Sequence, residues 1–251
     1  MNTPQHKSYK VLLIGDSCTD QYVYGEVKRL NPEAPVPILD YKKTEIRQGM
    51  AWNVYNNLKS FGLEVYMMTN EENIIKTRYI DEKTNQQILR VDTEVTCKPM
   101  CYEIPNQNWD VVVISDYNKG FVTVEQLFEI VNGAKCPVFI DTKKTIFPEN
   151  NCYVKINDIE YGKLTQRYKN LIVTHGAKGA EYDGIMYPGE KVNVYDVIGA
   201  GDTFLSALTY GYLTKGSIEK AIPFANKAAA IAVQYPGTYV LKKEDVQNLC
   251  N

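Results

Sequence analysis

A glycine-rich turn followed by an aspartate is the part of this sequence best suited to chemistry. Gly199-Ala200-Gly201-Asp202 leads at once into an apolar helical pattern that begins at Phe204. Such a turn leaves backbone N–H groups unpaired at a positive helix end, and together they bind an anion such as phosphate. The Asp202 carboxylate would repel a phosphate, but it can accept a proton from a hydroxyl that attacks one. The pattern predicts a phosphoryl-transfer site, although an isolated match is also typical of a tight loop with a capping aspartate.

Four further polar side chains follow apolar runs that resemble buried strands. They are Asp16, Asp116, Asp141 and His175, and the runs begin at Val11, Val111, Val138 and Leu171. Continuous apolar runs of this kind fit strands that are buried on both faces. In parallel sheets, ligands bind at the carboxyl ends of the strands. The sequence therefore predicts a ligand site at this edge of the sheet.

Amphipathic helical patterns alternate with these runs and must position them. Val54, Leu58 and Phe61 recur at helical spacing before Gly62, a residue suited to end a helix. A second helical pattern follows Thr123, a favoured N-cap residue. The alternation predicts an α/β fold with a mainly parallel sheet that helices cover on both faces.

Extended segments without an attached helix interrupt this alternation. Residues 36–41 lie among prolines, and residues 77–80 and 86–91 form a predicted hairpin around a polar turn. We predict a small, mostly antiparallel flap built from lid segments at about 22–48 and 76–93. Two interpretations stay open: the flap covers the ligand site as a lid, or it is an edge element or dimer contact.

The bulk composition of the 251 residues is that of an ordinary globular protein, so we expect a single domain over 1–251. The net charge of −2 gives no electrostatic reason to expect nucleic acid or an anionic membrane as a partner. No apolar run approaches the length of a membrane span, and the polar N-terminus does not resemble a signal peptide. Six scattered cysteines without zinc-site spacing fit reduced thiols in a cytoplasmic protein.

The longer pattern around Asp202 resembles a family signature. Asp196-x-x-Gly-Ala-Gly-Asp-x-Phe is similar to the C-terminal signature of the ribokinase-like (PfkB) carbohydrate kinases. The resemblance implies a ribokinase-like three-layer sandwich with a small antiparallel β lid. It also implies that Asp202 is the catalytic base, and that Gly199, Ala200 and Gly201 supply the anion hole for the γ-phosphate of ATP.

Shorter patterns extend the resemblance along the chain. Gly15-Asp16-x-x-x-Asp20 resembles the family motif whose aspartates bind sugar hydroxyls, although turn-forming aspartates would give the same pattern. Asn157 and Glu160 match an Asn-x-x-Glu motif that orders Mg²⁺ and its waters, and a plain helix start is the alternative. ATP and Mg²⁺ are thus the implied cofactors. The implied nucleotide-binding residues are Asn157, Thr174, Gly176, Gly179 and Asn226, with Glu160 acting on Mg²⁺ through water.

Several short sequence segments are similar to those of one group of the family, the kinases that phosphorylate D-glycero-D-manno-heptose 7-phosphate at C1. They lie at 24–25, 29–37, 76–78, 86–92 and 115–120. The resemblance implies an acceptor that already carries a phosphate, which guanidinium groups bind well. The implied acceptor-binding residues are Asp16, Asp20, Gly49, Asn53, Arg78, Arg90 and Lys119. Each arginine taken alone is equally well explained as a solvated charge.

The sequence departs from this group at three places. Met50 replaces the second glycine of Gly-Gly-Ala-x-Asn, and we expect it to narrow the pocket entrance. The stretch at 62–76 lacks several tens of residues, a helix and a strand, that the family usually has there. Lys155-Ile156 stands where the family has Thr-Pro. The chain therefore resembles a trimmed version of this kinase domain.

The sequence as a whole predicts a Mg²⁺-dependent kinase that transfers the γ-phosphate of ATP to a hydroxyl of a sugar phosphate. The expected reaction converts heptose 7-phosphate to the 1,7-bisphosphate. We expect a homodimer formed through the lid, without nucleic-acid or membrane partners. Two alternatives stay open: a kinase for another sugar or a nucleoside, and a catalytically impaired relative that binds sugar or nucleotide.

Overall fold

Apolar runs of the sequence form the inner strands of an eight-stranded sheet in the computed structural model, which describes residues 8–250. In chain order the elements are β1 (Lys10–Gly15), β2 (Ser17–Leu30), β3 (Pro37–Met50), α1 (Ala51–Ser60), β4 (Glu64–Thr69), β5 (Ile75–Asp81), β6 (Gln86–Thr93), β7 (Val111–Asp116), α2 (Val124–Gly133), β8 (Val138–Thr142), β9 (Cys152–Asn157), α3 (Asp158–Tyr161), β10 (Leu171–Thr174), β11 (Gly179–Tyr182), β12 (Ile185–Pro188), α4 (Ala200–Lys215), α5 (Ile218–Ala232) and α6 (Lys243–Cys250).

The main sheet has the strand order β12-β11-β10-β9-β8-β7-β1-β4. Neighbouring strands from β4 across to β10 pair in parallel, and β11 and β12 add an antiparallel edge. The strands β7 and β8 are buried along their whole lengths, and β1 is buried after its first residue. This burial explains their continuous apolar sequence, and the predicted mainly parallel sheet is confirmed.

Helices on both faces of the main sheet enclose two apolar clusters. One face packs side chains such as Leu13 against α1, α4 and α5, which contribute residues such as Leu205. The other face packs Ile114 against Leu127 of α2. The side chain of Thr123 accepts a hydrogen bond from the first turn of α2, so the predicted N-cap is confirmed.

Four strands outside the main sheet form a second sheet in the order β3-β2-β5-β6, which we call the lid sheet. The strand β2 pairs antiparallel with β3 and parallel with β5, and β5 and β6 form the predicted hairpin. β2 and β3 are longer than expected, because β2 begins at Ser17, two residues after β1, and β3 runs up to α1. The lid sheet therefore rises directly from the edge of the main sheet where the ligand site is predicted.

The shortened stretch at 62–76 is visible in the fold. The strand β4 leads to β5 without an intervening helix. Beside α2, the sheet face is covered in part by the segment 94–110, which contains no helix or strand. A cavity of about 930 Å³ lies there, lined by Leu12, Trp109 and Ile130 among others. Part of this face thus lacks the helix that would cover it in a regular three-layer arrangement.

None of the helices in residues 8–250 is long and apolar enough to cross a membrane. The polar N-terminus, predicted not to be a signal peptide, lies mostly in residues 1–7, outside the described part of the chain. The six cysteines carry free thiols, of which Cys101 and Cys250 are exposed.

Candidate active site

Asp202 lies in the first turn of α4, where the glycine turn predicts it. Its carboxylate is almost fully buried. Oδ2 accepts a hydrogen bond from Asn53 Nδ2 at 2.9 Å, and Oδ1 accepts one from the Tyr117 hydroxyl at 2.7 Å. Burial raises the pKa of Asp202 to about 6, and the two hydrogen bonds oppose that rise. A carboxylate whose pKa lies near the working pH is suited to accept a proton.

Backbone N–H groups of α4 lie beside this carboxylate. Gly199, the N-cap residue, has a left-handed φ of 76°, which glycine adopts without strain. Within residues 8–250, the N–H groups of Gly201 and Asp202 have no backbone acceptor. The N–H of Ala200 donates to the Val197 carbonyl at 3.3 Å, a long bond that a phosphate oxygen would have to replace. The turn thus presents donors at a positive helix end, an arrangement that binds anions.

A buried ion pair lies next to this turn. Lys155 on β9 places its Nζ 2.6 Å from Asp141 Oδ2 on the neighbouring strand β8. Both side chains are almost fully buried. A Cβ added to Gly201 would lie 2.8 Å from Lys155 Nζ, so the ammonium group lies against the glycine turn. Lys155 therefore places an ammonium group at the predicted phosphate site, where a phosphate oxygen would share it with Asp141.

The sequence pattern marks Lys155 only as a departure from the family motif and assigns it no role. A lysine inside an apolar strand is rarely buried unless it is paired, and that rule is the signal that could have identified it. Tyr117 likewise lies in the segment 115–120, which resembles heptose 7-phosphate kinases, and the sequence pattern assigns it no role. No pattern in the sequence connects it with Asp202, which lies 85 residues further along the chain.

Asp16 follows β1 and is fully buried. Its two carboxylate oxygens accept hydrogen bonds from Lys119 N at 3.1 Å and from Phe121 N at 3.3 Å. Burial raises the pKa of Asp16, and these backbone bonds oppose the rise. Asp16 thus holds the loop after β7 against the end of β1, and only its remaining lone pairs are available to a ligand.

Asp20 and Arg78 face each other on the lid sheet, both almost fully buried. Arg78 Nη2 lies 3.4 Å from Asp20 Oδ1. Gly49 on β3 is packed against them, because a Cβ there would lie 2.1 Å from Asp20 Oδ2. Within the described residues, Asp20 Oδ1, Arg78 Nε, Arg78 Nη1 and the Tyr22 hydroxyl have no hydrogen-bond partner. Buried polar atoms are normally satisfied, so this lid polar cluster (Asp20, Tyr22 and Arg78) fits a polar ligand.

The other two predicted acceptor-binding cations have acidic partners of their own. Arg90 Nη2 lies 2.9 Å from Asp92 Oδ2, and Lys119 Nζ lies 2.7 Å from Glu94 Oε2. Arg90 is also exposed on β6. A ligand phosphate would therefore have to compete with these carboxylates, whereas Arg78 offers free donors.

Met50, which replaces a glycine of the family motif, has a backbone φ of 56° that a side chain rarely adopts. Its side chain is buried in the apolar cluster that also contains Cys18 and Ile74. The residue thus fills apolar space at the junction of β3 and α1, at the cost of a strained backbone. The expected narrowing of the pocket entrance stays a prediction.

Asn157 and Glu160 form a capping box at the start of α3: each side chain accepts a hydrogen bond from the other's backbone N–H. The Glu160 carboxylate is almost fully buried and also pairs with the Lys143 ammonium group. The structure therefore shows that this motif does start a helix, as its alternative interpretation predicts. It does not compete with a role at Mg²⁺, since a carboxylate has further lone pairs.

The remaining predicted nucleotide residues gather near the carboxyl end of β10. Thr174 Oγ1 donates to the Ile156 carbonyl at 3.2 Å, and Asn226 Nδ2 donates to the Tyr187 carbonyl at 2.9 Å. Gly176 and Gly179 both have a left-handed φ, and a Cβ on Gly179 would lie 2.1 Å from Tyr187 O. These residues shape the β10–β11 loop and dock α5 against β12.

The acidic side chains near the predicted phosphate site fit a Mg²⁺ ion that is held largely by water and phosphate oxygens. Residues 8–250 contain no group of three or more His, Cys, Asp or Glu side chains that could hold a metal ion. Mg²⁺ commonly uses one or two carboxylates together with substrate phosphates and several waters. The buried Glu160 carboxylate is a suitable single ligand of this kind, acting directly or through water.

Comparisons with known proteins agree with these observations. The profile described as pfkB family carbohydrate kinase matches residues 157–245. Bifunctional protein HldE of a Helicobacter pylori strain is 30% identical over 311 aligned positions, covering 96% of this chain and 67% of the relative. Bifunctional protein HldE of a Nitratiruptor species is 29% identical over 296 positions, covering 95% and 64%.

The chain spans about two thirds of the length of these curated relatives, and just under two thirds of the Nitratiruptor protein. Both alignments run over more positions than the 251 residues of this chain, which agrees with the shortened stretch at 62–76.

Solved structures show the same fold. Ribokinase from Thermotoga maritima superposes with a TM-score of 0.72 at 16% identity, covering 96% of this chain and 99% of that one. Arabidopsis thaliana ribokinase complexed with ribose and ATP gives a TM-score of 0.69 at 17% identity, covering 96% and 98%. The ribokinase-like fold is therefore confirmed. With the relatives and the family profile, it shows that this chain belongs to the pfkB family of carbohydrate kinases, phosphotransferases that act on a sugar hydroxyl.

Proposed function

We propose that this chain is an ATP-dependent kinase that transfers the γ-phosphate to a hydroxyl of a sugar phosphate, with D-glycero-D-manno-heptose 7-phosphate as acceptor. The observation that carries the proposal is the buried Asp202 carboxylate beside the free N–H groups of the α4 first turn. A base next to an anion site is the pair of groups that phosphoryl transfer requires.

Asp202 acts as the base in this proposal. Its carboxylate takes the proton of the acceptor hydroxyl as that oxygen attacks the γ-phosphorus. Because the pKa of Asp202 is raised to about 6, the carboxylate is ionised at pH 7 yet basic enough to hold the proton. Asn53 keeps the carboxylate in place through its 2.9 Å hydrogen bond.

Charge on the transferred phosphoryl group is stabilised by fixed groups of the chain. The N–H groups of Gly201 and Asp202 have no backbone acceptor in residues 8–250, and the Lys155 ammonium group lies against Gly201. Such donors need no reorganisation during the reaction, which is why they lower its barrier. Glu160 would hold Mg²⁺ through water, and the ion would supply positive charge to the nucleotide phosphates.

Two observations support an acceptor that carries a phosphate. The lid polar cluster keeps the Arg78 Nε and Nη1 atoms free of partners in the described residues, and a guanidinium group binds phosphate bidentately. Two relatives that align with nearly the whole chain are bifunctional HldE proteins, and the segments at 29–37 and 115–120 are similar to heptose 7-phosphate kinases.

ADP release in a coupled assay tests the proposal with a panel of acceptors: heptose 7-phosphate, fructose 6-phosphate, ribose and adenosine. We expect saturable turnover with heptose 7-phosphate and kcat/KM lower by at least about tenfold with the others. The Asp202→Asn variant should lose about 10²- to 10⁴-fold in rate while calorimetry still detects nucleotide binding. Equal turnover with adenosine would overturn the acceptor, and binding without turnover on any acceptor would identify an impaired relative.

We also propose that two copies associate through the lid sheet. Large apolar side chains are exposed on its strands β2, β3 and β6, namely Leu30, Tyr41, Ile46, Leu89 and Val91. Exposed apolar side chains that share one sheet favour a protein contact there. The edge strands β3 and β6 also offer unpaired backbone groups to a second sheet.

A further inference from the structure

Tyr117 lies immediately after β7 in a loop whose position is fixed on both sides. The Asn118 N–H donates to Asp116 Oδ1 at 2.9 Å, and the Lys119 N–H donates to Asp16 Oδ2 at 3.1 Å. Asn118 has a left-handed φ of 58°, so the chain turns sharply just after the tyrosine. The two strand-end carboxylates therefore hold the loop, and the loop aims the Tyr117 side chain at α4.

The hydroxyl of Tyr117 reaches the base itself. It donates to Asp202 Oδ1 at 2.7 Å, while Asn53 occupies Oδ2 at 2.9 Å. Burial, together with the neighbouring Asp202 charge, raises the pKa of Tyr117 well above its ordinary value. The phenol therefore stays protonated at every working pH and acts only as a donor to the carboxylate.

Two cations lie within cation–π distance of the Tyr117 ring. Lys76 Nζ of the lid strand β5 is 5.8 Å from the ring centroid, and Lys143 Nζ is 5.7 Å from it. Lys143 also pairs with Glu160, the proposed Mg²⁺ residue. The ring is thus held by cation–π contacts from the lid and from the nucleotide side.

We propose that Tyr117 is a positioning residue that fixes the carboxylate of Asp202 for proton transfer and favours its ionised form. This inference rests on the proposed kinase function. A carboxylate with one oxygen held by a phenol and the other by an amide cannot rotate freely, and the lone pairs left over face a defined direction. A hydrogen bond to the charged form of an acid also favours that form.

The competing possibility is that the phenol only occupies the place of the acceptor hydroxyl and leaves when the acceptor binds. The two roles predict opposite kinetics for Tyr117→Phe. Loss of a positioning bond lowers kcat, whereas loss of a competing hydroxyl lowers KM for the acceptor and leaves kcat unchanged.

Other charges face Asp202 and set the background for any pH effect. Asp141 raises the pKa of Asp202 and Lys155 lowers it, while Lys143 and Cys18 lie within electrostatic range. None of these groups changes in Tyr117→Phe, which removes one oxygen and keeps the ring beside Lys76 and Lys143. The variant therefore isolates the hydrogen bond to Oδ1.

The experiment compares wild type with Tyr117→Phe, using Tyr239→Phe as the matched control. Tyr239 makes the same kind of bond, a hydroxyl donating to Asp245 Oδ2 at 2.8 Å, outside the site. For Tyr117→Phe we expect kcat to fall by about tenfold or more, as for the loss of a bond to a charged group. The acidic limb of its pH–rate profile should move up by about one pH unit, with KM for ATP unchanged. Tyr239→Phe should match wild type in all three quantities.

A readout independent of turnover is the ¹³C carboxyl resonance of Asp202, assigned by its absence in Asp202→Asn. The Asp202 titration should move to higher pH in Tyr117→Phe and stay in place in Tyr239→Phe. An unmoved titration, or an unchanged kcat with a lower acceptor KM, would overturn the positioning role. If no acceptor is turned over at all, the kinase proposal fails, and the ¹³C titration still decides whether Tyr117 holds Asp202.

Discussion

Replacing Asp202 with asparagine should stabilise the folded protein at neutral pH while removing its proposed base. Asp202 is 3% exposed, and burial raises its pKa from the ordinary 3.8 to about 6. Each pKa unit corresponds to about 1.4 kcal/mol, so the ionised carboxylate lowers the free energy of unfolding by about 3 kcal/mol. Asparagine carries no charge, so burying it does not have this free-energy cost.

One hydrogen bond offsets part of the gain. The carboxylate accepts from both Asn53 and Tyr117, whereas an asparagine side chain has a single acceptor oxygen. Losing one of these bonds costs about 1 kcal/mol. We therefore expect Asp202→Asn to exceed wild type by about 2 kcal/mol above pH 6.5. Below about pH 3, where the wild-type carboxyl is protonated in both states, the variant should be about 1 kcal/mol less stable.

The sign of the pH dependence follows from the proton balance. Between about pH 4 and pH 6 the unfolded wild-type chain loses the Asp202 proton while the folded protein keeps it. The stability that wild type holds at low pH is therefore lost as pH rises through this window, and it stays constant above the window. The variant lacks this titration, so the difference between the two proteins isolates Asp202.

Urea unfolding at pH 4, 5, 6, 7 and 8 measures this difference directly. Asp40→Asn, at an exposed position on β3, is the matched control and should stay within about 0.5 kcal/mol of wild type at every pH. A stability difference for Asp202→Asn that is constant from pH 4 to pH 8 would refute the reasoning, because an Asp202 with a raised pKa must lose stability over that window.

Two further predictions concern the buried ion pair and the lid. Lys155→Met leaves Asp141 buried without its partner, so we expect urea unfolding to show a free energy of unfolding lower by about 3–5 kcal/mol, together with a lower kcat. The double variant Lys155→Met/Asp141→Asn should recover the stability but not the rate. Full stability in the single variant would contradict a buried charge pair. The Ile46 side chain is 70% exposed on the lid sheet, so Ile46→Lys should turn a dimer into a monomer in sedimentation velocity. Ile185→Lys on β12 should leave the dimer intact. Unchanged association in Ile46→Lys would place any dimer contact elsewhere.

The sequence predicted the features that depend on local pattern. Apolar runs that end in Asp16 and Asp116 mark strands of one parallel sheet, and the carboxyl ends of such strands meet at one edge. Gly199 and Asp202 were predictable for the same reason, since a glycine turn and the helix that follows it are adjacent in the chain. Both the sheet and the helix start are therefore where the sequence places them.

Features that depend on side-chain contacts between distant segments could not be predicted. The bond from Tyr117 to Asp202 exists only because the loop after β7 and the start of α4 meet across the sheet edge. The pairing of Lys155 with Asp141 requires the register of β8 and β9, which no single-strand pattern contains. Surface ion pairs such as that of Arg90 with Asp92 cannot be predicted either, because an arginine side chain near an acidic residue has many alternative positions.

Identification of the product by ³¹P NMR tests the central claim most directly. Incubation with ATP, Mg²⁺ and heptose 7-phosphate should give ADP and a new sugar phosphate resonance in equal amounts. The Asp202→Asn variant should form neither on the same timescale. ADP without a new phosphate ester, or product formation by Asp202→Asn at close to the wild-type rate, would contradict the assignment of this chain as a sugar phosphate kinase with Asp202 as its base.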